Sequence, residues 1–368
     1  MRYKLNILGT RGVPAAYGGF ETFAERLSLF LVDKGWEVTV YCQSCGRGSL
    51  SESFWKGIRR VEIPVRRDDG LGSMMFDWKA THHALSQEGI FLTLGYNTAI
   101  FNLLQRLKGQ TNIINMDGIE WRRAKWGRSA KAWFWMNEYA ACRIGNHLVA
   151  DHPVIKEHLI ARARPEKITV IPYGADEVLD ADSRQLASYG VEPGHFSVVI
   201  ARPEPENSLL EIVRAFSRTE RGHKLLVLGD LKPERNPFHR SVMSAASDEV
   251  IFPGAIYELF IVQALRFFSR FYLHGHRVGG TNPSLVEALG AGCAIIAYDN
   301  PFNRWVAGSG AAYFGDEAAC ADLLDELLTD ETSVRNMRAA SRERFRAGYK
   351  WSDVLNEYER LLVHWYPA

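Results

Sequence analysis

The chain has 368 residues, which favours two domains of ordinary size over one. Apolar residues make up 46% and charged residues 24%, the balance of a globular protein, and a formal net charge of +1 excludes a surface coated evenly in positive charge for nucleic acid. That sum hides a division: residues 1–175 carry 24 Lys and Arg against 16 Asp and Glu, and residues 176–368 carry 20 against 27, so the first half calls for an anionic surface or ligand.

In chain order, Lys4–Leu8 reads as a short apolar strand that ends at Gly9. Phe20–Lys34 has helical spacing and stops before Gly35. Glu37–Tyr41, Arg60–Val65, Ile90–Leu94, Asn112–Asn115, His147–Ala150 and Ile168–Ile171 repeat a buried-strand pattern. Strands alternating with helices imply a parallel sheet covered on both faces. The pattern restarts with His195–Ala201 (strand), Ser208–Ser217 (helix) and Lys224–Leu228 (strand). Val250–Phe252, Arg270–Leu273 and Ala294–Tyr298 follow as strands, with a helix starting at Ser284. Ala318–Leu328, Val334–Arg346 and Trp351–Tyr366 are helical. The expected division is a first domain at 1–173, a second at 174–350, and a last helix at 351–368. Two doubly wound domains in tandem place a ligand cleft between the carboxyl ends of their sheets. The start of the chain lacks the pattern of a secretory leader, and no stretch reaches the roughly 18–20 apolar residues that span a bilayer. Five cysteines in a chain of this size do not form a disulfide framework. The expected location is cytoplasmic, free or held at the inner face of the membrane.

Four constellations carry chemistry. Between the first strand and the first helix runs Gly9-Thr10-Arg11-Gly12-Val13-Pro14-Ala15-Ala16-Tyr17-Gly18-Gly19, a glycine-rich stretch that lets backbone N–H groups approach a phosphate, or else a long turn. It lacks the G-x-G-x-x-G spacing, and no acidic residue follows the second strand, so a nicotinamide enzyme is not expected. A second stretch runs from His274 through His276, Gly279, Gly280, Thr281 and Asn282 to Glu287. Asn282 is placed to cap a helix, with Pro283 at its first position, and that helix end favours a diphosphate. Glu287, one turn in, is placed to accept hydrogen bonds from a ribose diol. His274 and His276 alternate on a strand end, so they are expected to face opposite ways and make a poor metal pair. Third, Arg202 and Asn207 follow the first strand of the second half; the Arg202 fork suits a diphosphate, or pairs with Glu204 or Glu206. Fourth, Asp117 and Glu120 follow a buried strand of the first half, where a carboxylate orients an acceptor hydroxyl. The residues after them, 121–135, interleave Arg and Lys with four tryptophans on an expected helix, which fits either a membrane interface or an aromatic core face. Cys42-Gln43-Ser44-Cys45 has redox spacing but lacks a redox context.

Taken together, these residues resemble the retaining glycosyltransferases of the large family four, whose fold is GT-B: two Rossmann-like α/β domains with an interdomain cleft and a helix crossing back. The resemblance covers nearly the whole chain. It matches Gly18-Gly19 to the family's diphosphate loop, Ile171–Gly174 to its domain junction and Arg202 to its phosphate-binding Arg. Glu287 matches the ribose-binding second Glu of Glu-x7-Glu, and Trp351 and Tyr358 match the crossing helix. The chain departs where the first Glu of that motif falls on Gly279, the Lys that accompanies the Arg falls on Asn207, and a first-domain His falls on Asp117. These departures resemble a rhamnosyltransferase-like subgroup of bacterial polysaccharide assembly.

The resemblance implies transfer of a sugar from a nucleoside diphosphate, dTDP-rhamnose for that subgroup, to a glycan or polyprenyl-linked acceptor. Arg202 would stabilise the leaving diphosphate, with Arg11, Gly18, Gly19, Asn207, His276, Gly279, Gly280, Thr281 and Asn282 around the donor. Asp117 and Glu120 would orient the reacting sugars, and no metal or other cofactor is expected. The rivals are a sugar-nucleotide epimerase of the same fold and a degenerate nucleotide-binding module.

Overall fold

The computed structural model of the protein describes residues 2–16, 18–67, 69–123 and 125–367. The chain forms two compact units, Met1–Pro172 with Trp351–Ala368, and Tyr173–Lys350.

The first unit contains, in order, β1 (Lys4–Leu8), α1 (Gly19–Asp33), β2 (Glu37–Cys45), β3 (Ser51–Trp55), β4 (Ile58–Val65), α2 (Gly70–Ala84), β5 (Ile90–Leu94), α3 (Leu103–Leu107), β6 (Asn112–Asn115), α4 (Arg128–Ile144), β7 (His147–Ala150), α5 (Pro153–Leu159) and β8 (Ile168–Val170). Among the described residues these strands make one sheet in the order β3-β4-β2-β1-β5-β6-β7-β8. Every residue of β5, β6 and β7 is buried, as strands covered on both faces require. The pairing departs from an all-parallel sheet at one edge, where β3 runs antiparallel to β4. Its cause is local: Lys56 and Gly57, with φ of 47° and 83°, form a two-residue turn whose twist suits a hairpin. The polar, exposed β3 carries no apolar run by which the sequence would have announced it.

In the second unit lie β9 (Phe196–Ile200), α6 (Leu209–Ser217), β10 (Lys224–Leu228), α7 (Pro237–Ser244), β11 (Val250–Gly254), α8 (Leu259–Phe268), β12 (Phe271–His274), α9 (Pro283–Gly290), β13 (Ala294–Tyr298), α10 (Pro301–Ala307), β14 (Ala312–Phe314), α11 (Glu317–Leu327) and α12 (Glu331–Gly348). Its sheet is parallel, in the order β11-β10-β9-β12-β13-β14. Alternate residues serve opposite cores: Val198, Leu226, Tyr272 and Ile295 pack on one face, and Val199, Val227, Leu273 and Ile296 on the other.

The last helix, α13 (Trp351–His364), belongs to the first unit. The Tyr358 ring lies 4.6 Å from Phe23 of α1, and its hydroxyl accepts a 2.8 Å bond from Asn115 Nδ2 at the end of β6.

In both sheets the chain reverses its direction of winding beside the first strand. In the first unit this happens between β1 and β5, and in the second between β9 and β12. The carboxyl ends of such strand pairs are where open α/β sheets hold ligands.

Candidate functional site

At the second unit's reversal, the segment after β9 and the segment after β12 are tied together. The Arg277 N–H donates to the Glu206 carbonyl at 3.0 Å, and its guanidinium reaches Ser208 Oγ at 2.8 Å and the Glu211 carboxylate at 2.7 Å. Gly275 is required by this approach, since a Cβ there would sit 2.3 Å from the Asn207 carbonyl oxygen. Arg202 is exposed and forms no ion pair among the described residues, so the pairing with Glu204 or Glu206 is not made. Asn207 is buried, and its Nδ2 donates 2.8 Å back to the Arg202 carbonyl. It shapes the Arg202 loop from beneath and does not face outward as a donor-binding group would.

Across the gap, Asn282 caps α9 by accepting the Ser284 N–H at 3.0 Å, with Pro283 at the first helical position. Glu287 lies one turn in, its side chain 39% exposed, with Oε2 held 2.5 Å from Nη2 of Arg266, which is buried in α8. The same Nη2 reaches Ser284 Oγ at 3.1 Å. A buried guanidinium thus fixes a carboxylate that is still open to a ligand. Gly279 has φ of 140° and open space where a side chain would project. Gly280 and Thr281 complete the turn into the cap, Thr281 being buried.

The two histidines correct the expectation of opposite faces. The His274 and His276 rings stack at 4.3 Å with an 11° tilt. Side chains two apart along an extended strand end share a face, so alternation itself places His276 beside His274. His274 is 1% exposed, and neither ring nitrogen has a hydrogen-bond partner among the described residues. Burial, with His276 beside it, holds its pKa well below the ordinary value, so the ring is neutral. The His276 carbonyl accepts 2.9 Å bonds from both Asn300 and Asn303 Nδ2. Sequence reading missed Arg266, Asn300 and Asn303. The signals present were an arginine inside the apolar run of α8 and an Asn-Pro helix start at Asn300.

In the first unit the glycine-rich loop, of which Tyr17 lies outside the described residues, is held by carboxylates of α1. Glu21 Oε1 accepts the Arg11 N–H at 3.0 Å and the Thr10 hydroxyl at 3.4 Å, and Glu25 Oε2 accepts the Ala15 N–H at 2.6 Å. The Arg11 carbonyl accepts the Gln43 N–H. Part of the polar backbone expected to face phosphate is therefore already bound, which leaves Gly18 and Gly19 at the helix start.

Beside it, at the β1–β5 reversal, is a cavity of about 90 Å³ that the sequence did not disclose. Gly9, Phe20, Gly95, Asn97, Thr98 and Asp77 are among the residues lining it. Gly9 is obligatory, because a Cβ would meet the Leu94 carbonyl oxygen at 2.2 Å. Thr98 Oγ1 donates to Asp77 Oδ2 at 2.8 Å, while burial raises the Asp77 carboxyl to about 6.

Asp117 and Glu120 follow β6 as expected and fare differently. Asp117 has a left-handed φ of 49°, and its N–H bonds Asn115 Oδ1 at 3.0 Å. A non-glycine residue holds that conformation only when its surroundings enforce it. Both Glu120 oxygens are engaged, one by Arg123 at 2.9 Å and the other by Trp126 Nε1 at 3.2 Å. Glu120 is therefore a loop brace in an ion pair with Arg123. The segment 121–135, of which Ala124 lies outside the described residues, is not one helix. It opens with the 3-10 turn Glu120–Arg122, and α4 begins only at Arg128. Three of its tryptophans bond to protein: Trp121 to the buried Glu138, Trp126 to Glu120 and Trp133 to the Asn97 carbonyl. Trp135 alone of the four is exposed.

Cys42 and Cys45 are both free, on opposite faces of β2, and burial pushes the Cys42 thiol up, away from redox reactivity. No helix of the described residues is long and apolar enough to cross a membrane.

A family described as a domain of unknown function (DUF1972) matches residues 2–176. No curated protein matches the chain in sequence. Solved structures do match in three dimensions. Sucrose-phosphate synthase from Thermosynechococcus elongatus superposes with a TM-score of 0.81 at 15% identity, covering 99% of both chains. Anabaena HepE, in complex with UDP and glucose, gives 0.78 at 13% identity over 99% of this chain and 100% of that one. The α,α-trehalose 6-phosphate synthase of Burkholderia multivorans gives 0.75 at 12% identity over 99% and 97%. The chain, with two parallel-sheet α/β units, has the GT-B fold of these structures.

Proposed function

We propose that the chain is a retaining glycosyltransferase that moves a sugar from a nucleoside diphosphate to a glycan or lipid-linked acceptor in cell-surface polysaccharide synthesis. The observation that carries this reading is the second unit's reversal point. There an unpaired Arg202 and an Arg266-fixed, half-open Glu287 flank the turn at Gly279–Asn282. A nucleoside diphosphate needs such a set: a cation and the N–H groups of a helix-start turn for phosphate, and a carboxylate for the ribose diol. HepE, a fold neighbour, is solved in complex with UDP-glucose, which supports the same donor class here.

In this reading, cleavage of the sugar–phosphate bond builds negative charge on the leaving diphosphate. Arg202 and the N–H groups at Gly280–Asn282 stabilise it as it forms. Glu287 anchors the ribose. Gly279 leaves an open position without a carboxylate, which suits a 6-deoxy sugar, and dTDP-rhamnose is the donor we favour. Asp117 and the Asp77 cavity of the first unit are assigned to the acceptor. We place the protein in the cytoplasm at the inner membrane face. Leu71, Met75 and Trp78 on α2 and Trp135, Met136 and Tyr139 on α4, all exposed, support that location.

The test is turnover of dTDP-, UDP- and GDP-sugars with acceptor extracts, followed by product analysis. Transfer is expected with one nucleotide, is lost in Glu287→Ala and Arg202→Ala, and survives a chelator. Conversion of donor to an epimer without acceptor overturns transfer in favour of epimerisation. A need for a divalent cation contradicts the assignment of the charge to Arg202.

A further inference from the structure

The candidate residues of the first unit sit at the carboxyl ends of its strands. A larger concavity lies at the opposite, amino end, where Lys167 leads into β8 and Gly145–Asn146 lead into β7. It has a volume of about 680 Å³, opens to solvent, and is lined by Arg106, Arg143, Arg162, Arg164, Lys167 and Trp365, with no Asp or Glu among the described lining residues.

Several of these cations have structural partners. Arg162 pairs with the buried Glu138 at 3.4 Å. Lys167 Nζ donates to the Cys142 carbonyl at 2.8 Å and so closes the end of α4. Arg143 Nη2 donates to the Tyr139 hydroxyl at 2.7 Å. Arg106 and Arg164 are exposed and have no side-chain hydrogen bond or ion pair among the described residues. Packing and capping therefore explain three of the five and leave two aimed at the same hollow without a counter-charge. The crowding registers on Lys167, whose pKa is lowered by burial and then by Arg106 and Arg143. Like charges gathered in a concave site are unfavourable until an anion enters, and guanidinium forks beside an indole suit phosphate oxygens.

We propose that this amino-end pocket is a binding site for a phosphate or diphosphate group, held by Arg106 and Arg164 beside Trp365. It is separate from the donor site proposed in the second unit. The group is carried either by a soluble phosphorylated ligand or by a phospholipid head group.

Amide exchange of the full chain tests the proposal, with inorganic pyrophosphate as one probe and vesicles of phosphatidic acid in phosphatidylcholine as the other. Plain phosphatidylcholine vesicles are the blank. In wild type, exchange in residues 143–147 and 162–167 is expected to slow at least several-fold with one probe. Slowing by pyrophosphate identifies a soluble ligand, and slowing by phosphatidic acid alone identifies a head group. Arg106→Gln/Arg164→Gln, which breaks no bond within the protein, is expected to abolish the effect. Arg2→Gln/Arg47→Gln, an equal change of charge elsewhere on the unit, is expected to keep it. The proposal is overturned if neither probe slows these segments, or if the first double variant responds as wild type does.

Discussion

Arg202 and Glu287 carry the donor assignment through different supports. Arg202 stands exposed on a loop that Asn207 holds from below, whereas Glu287 is clamped by Arg266. Removing a charge-assisted hydrogen bond to a ligand costs about 1.5–3 kcal/mol, roughly a ten- to hundredfold loss of affinity. Calorimetric titration with the preferred nucleoside diphosphate is expected to show that loss for Arg202→Ala with an unchanged fold. The glycines of the same loop should separate cleanly. Gly275→Ala drives a Cβ onto the Asn207 carbonyl and is expected to lower stability by about 1–3 kcal/mol in denaturant titrations. At Gly279 nothing lies within 4 Å, so alanine there meets only backbone strain, and a larger cost at 279 than at 275 would contradict the geometry. Arg202, Asn282 and Glu287 were legible in the sequence because a strand end, a Gly-Gly turn and an Asn-Pro cap fix their places locally. Arg266, Asn300, Asn303 and Asp77 were not, since each acts across the fold through contacts far apart in sequence. The opposite-face expectation for His274 and His276 failed because residues two apart on a strand share a face, and the two rings accordingly stack.

The strands were the most readable elements. Continuous Val, Ile and Leu runs such as Ile90–Leu94 admit few readings once flanked by Gly. Among the elements that went unread are two whose exposed face departs from the rule: the polar hairpin strand β3, and α2, which turns Leu71, Met75 and Trp78 outward. If that stripe and Trp135 meet a lipid surface, Trp78→Ser/Trp135→Ser should sediment less with anionic vesicles than wild type, and equal sedimentation would contradict it. Three of the buried histidines are held against protonation. Burial lowers His147 and His223 to about 4 and holds His274 well below its ordinary value. An unfolded chain takes up these protons from about pH 6.5 downward, while the folded chain resists them until near 4. Stability is therefore full above about pH 6.5 and falls as pH drops toward 4. Asp77, raised to about 6, binds its proton earlier folded than unfolded and offsets one of the three between about pH 6 and 4. Urea midpoints should be clearly lower at pH 5 than at pH 7; equal midpoints would show that these rings are not held neutral.

For the molecule as a whole, two sheets each reverse beside their first strand, and each reversal gathers a different set of groups: carboxylates and a small cavity in the first unit, and an Arg, a capped helix and a fixed Glu in the second. The near-zero net charge conceals the basic character of residues 1–175, which here resolves into an exposed aromatic surface and an arginine-lined hollow. The acidic second half would offer a diphosphate no general field of attraction, so in the proposed reading affinity there rests on a few placed groups. The thermal midpoints of wild type, Arg202→Ala and Glu287→Gln across dTDP-, UDP- and GDP-sugars test that claim most directly. A ligand that binds only the folded state adds about 2.7 kcal/mol at a hundredfold excess over its dissociation constant. The account predicts that one nucleotide class raises the wild-type midpoint by several degrees and leaves both variants nearly unmoved. A wild type indifferent to every nucleotide, or variants that respond as wild type does, would contradict it.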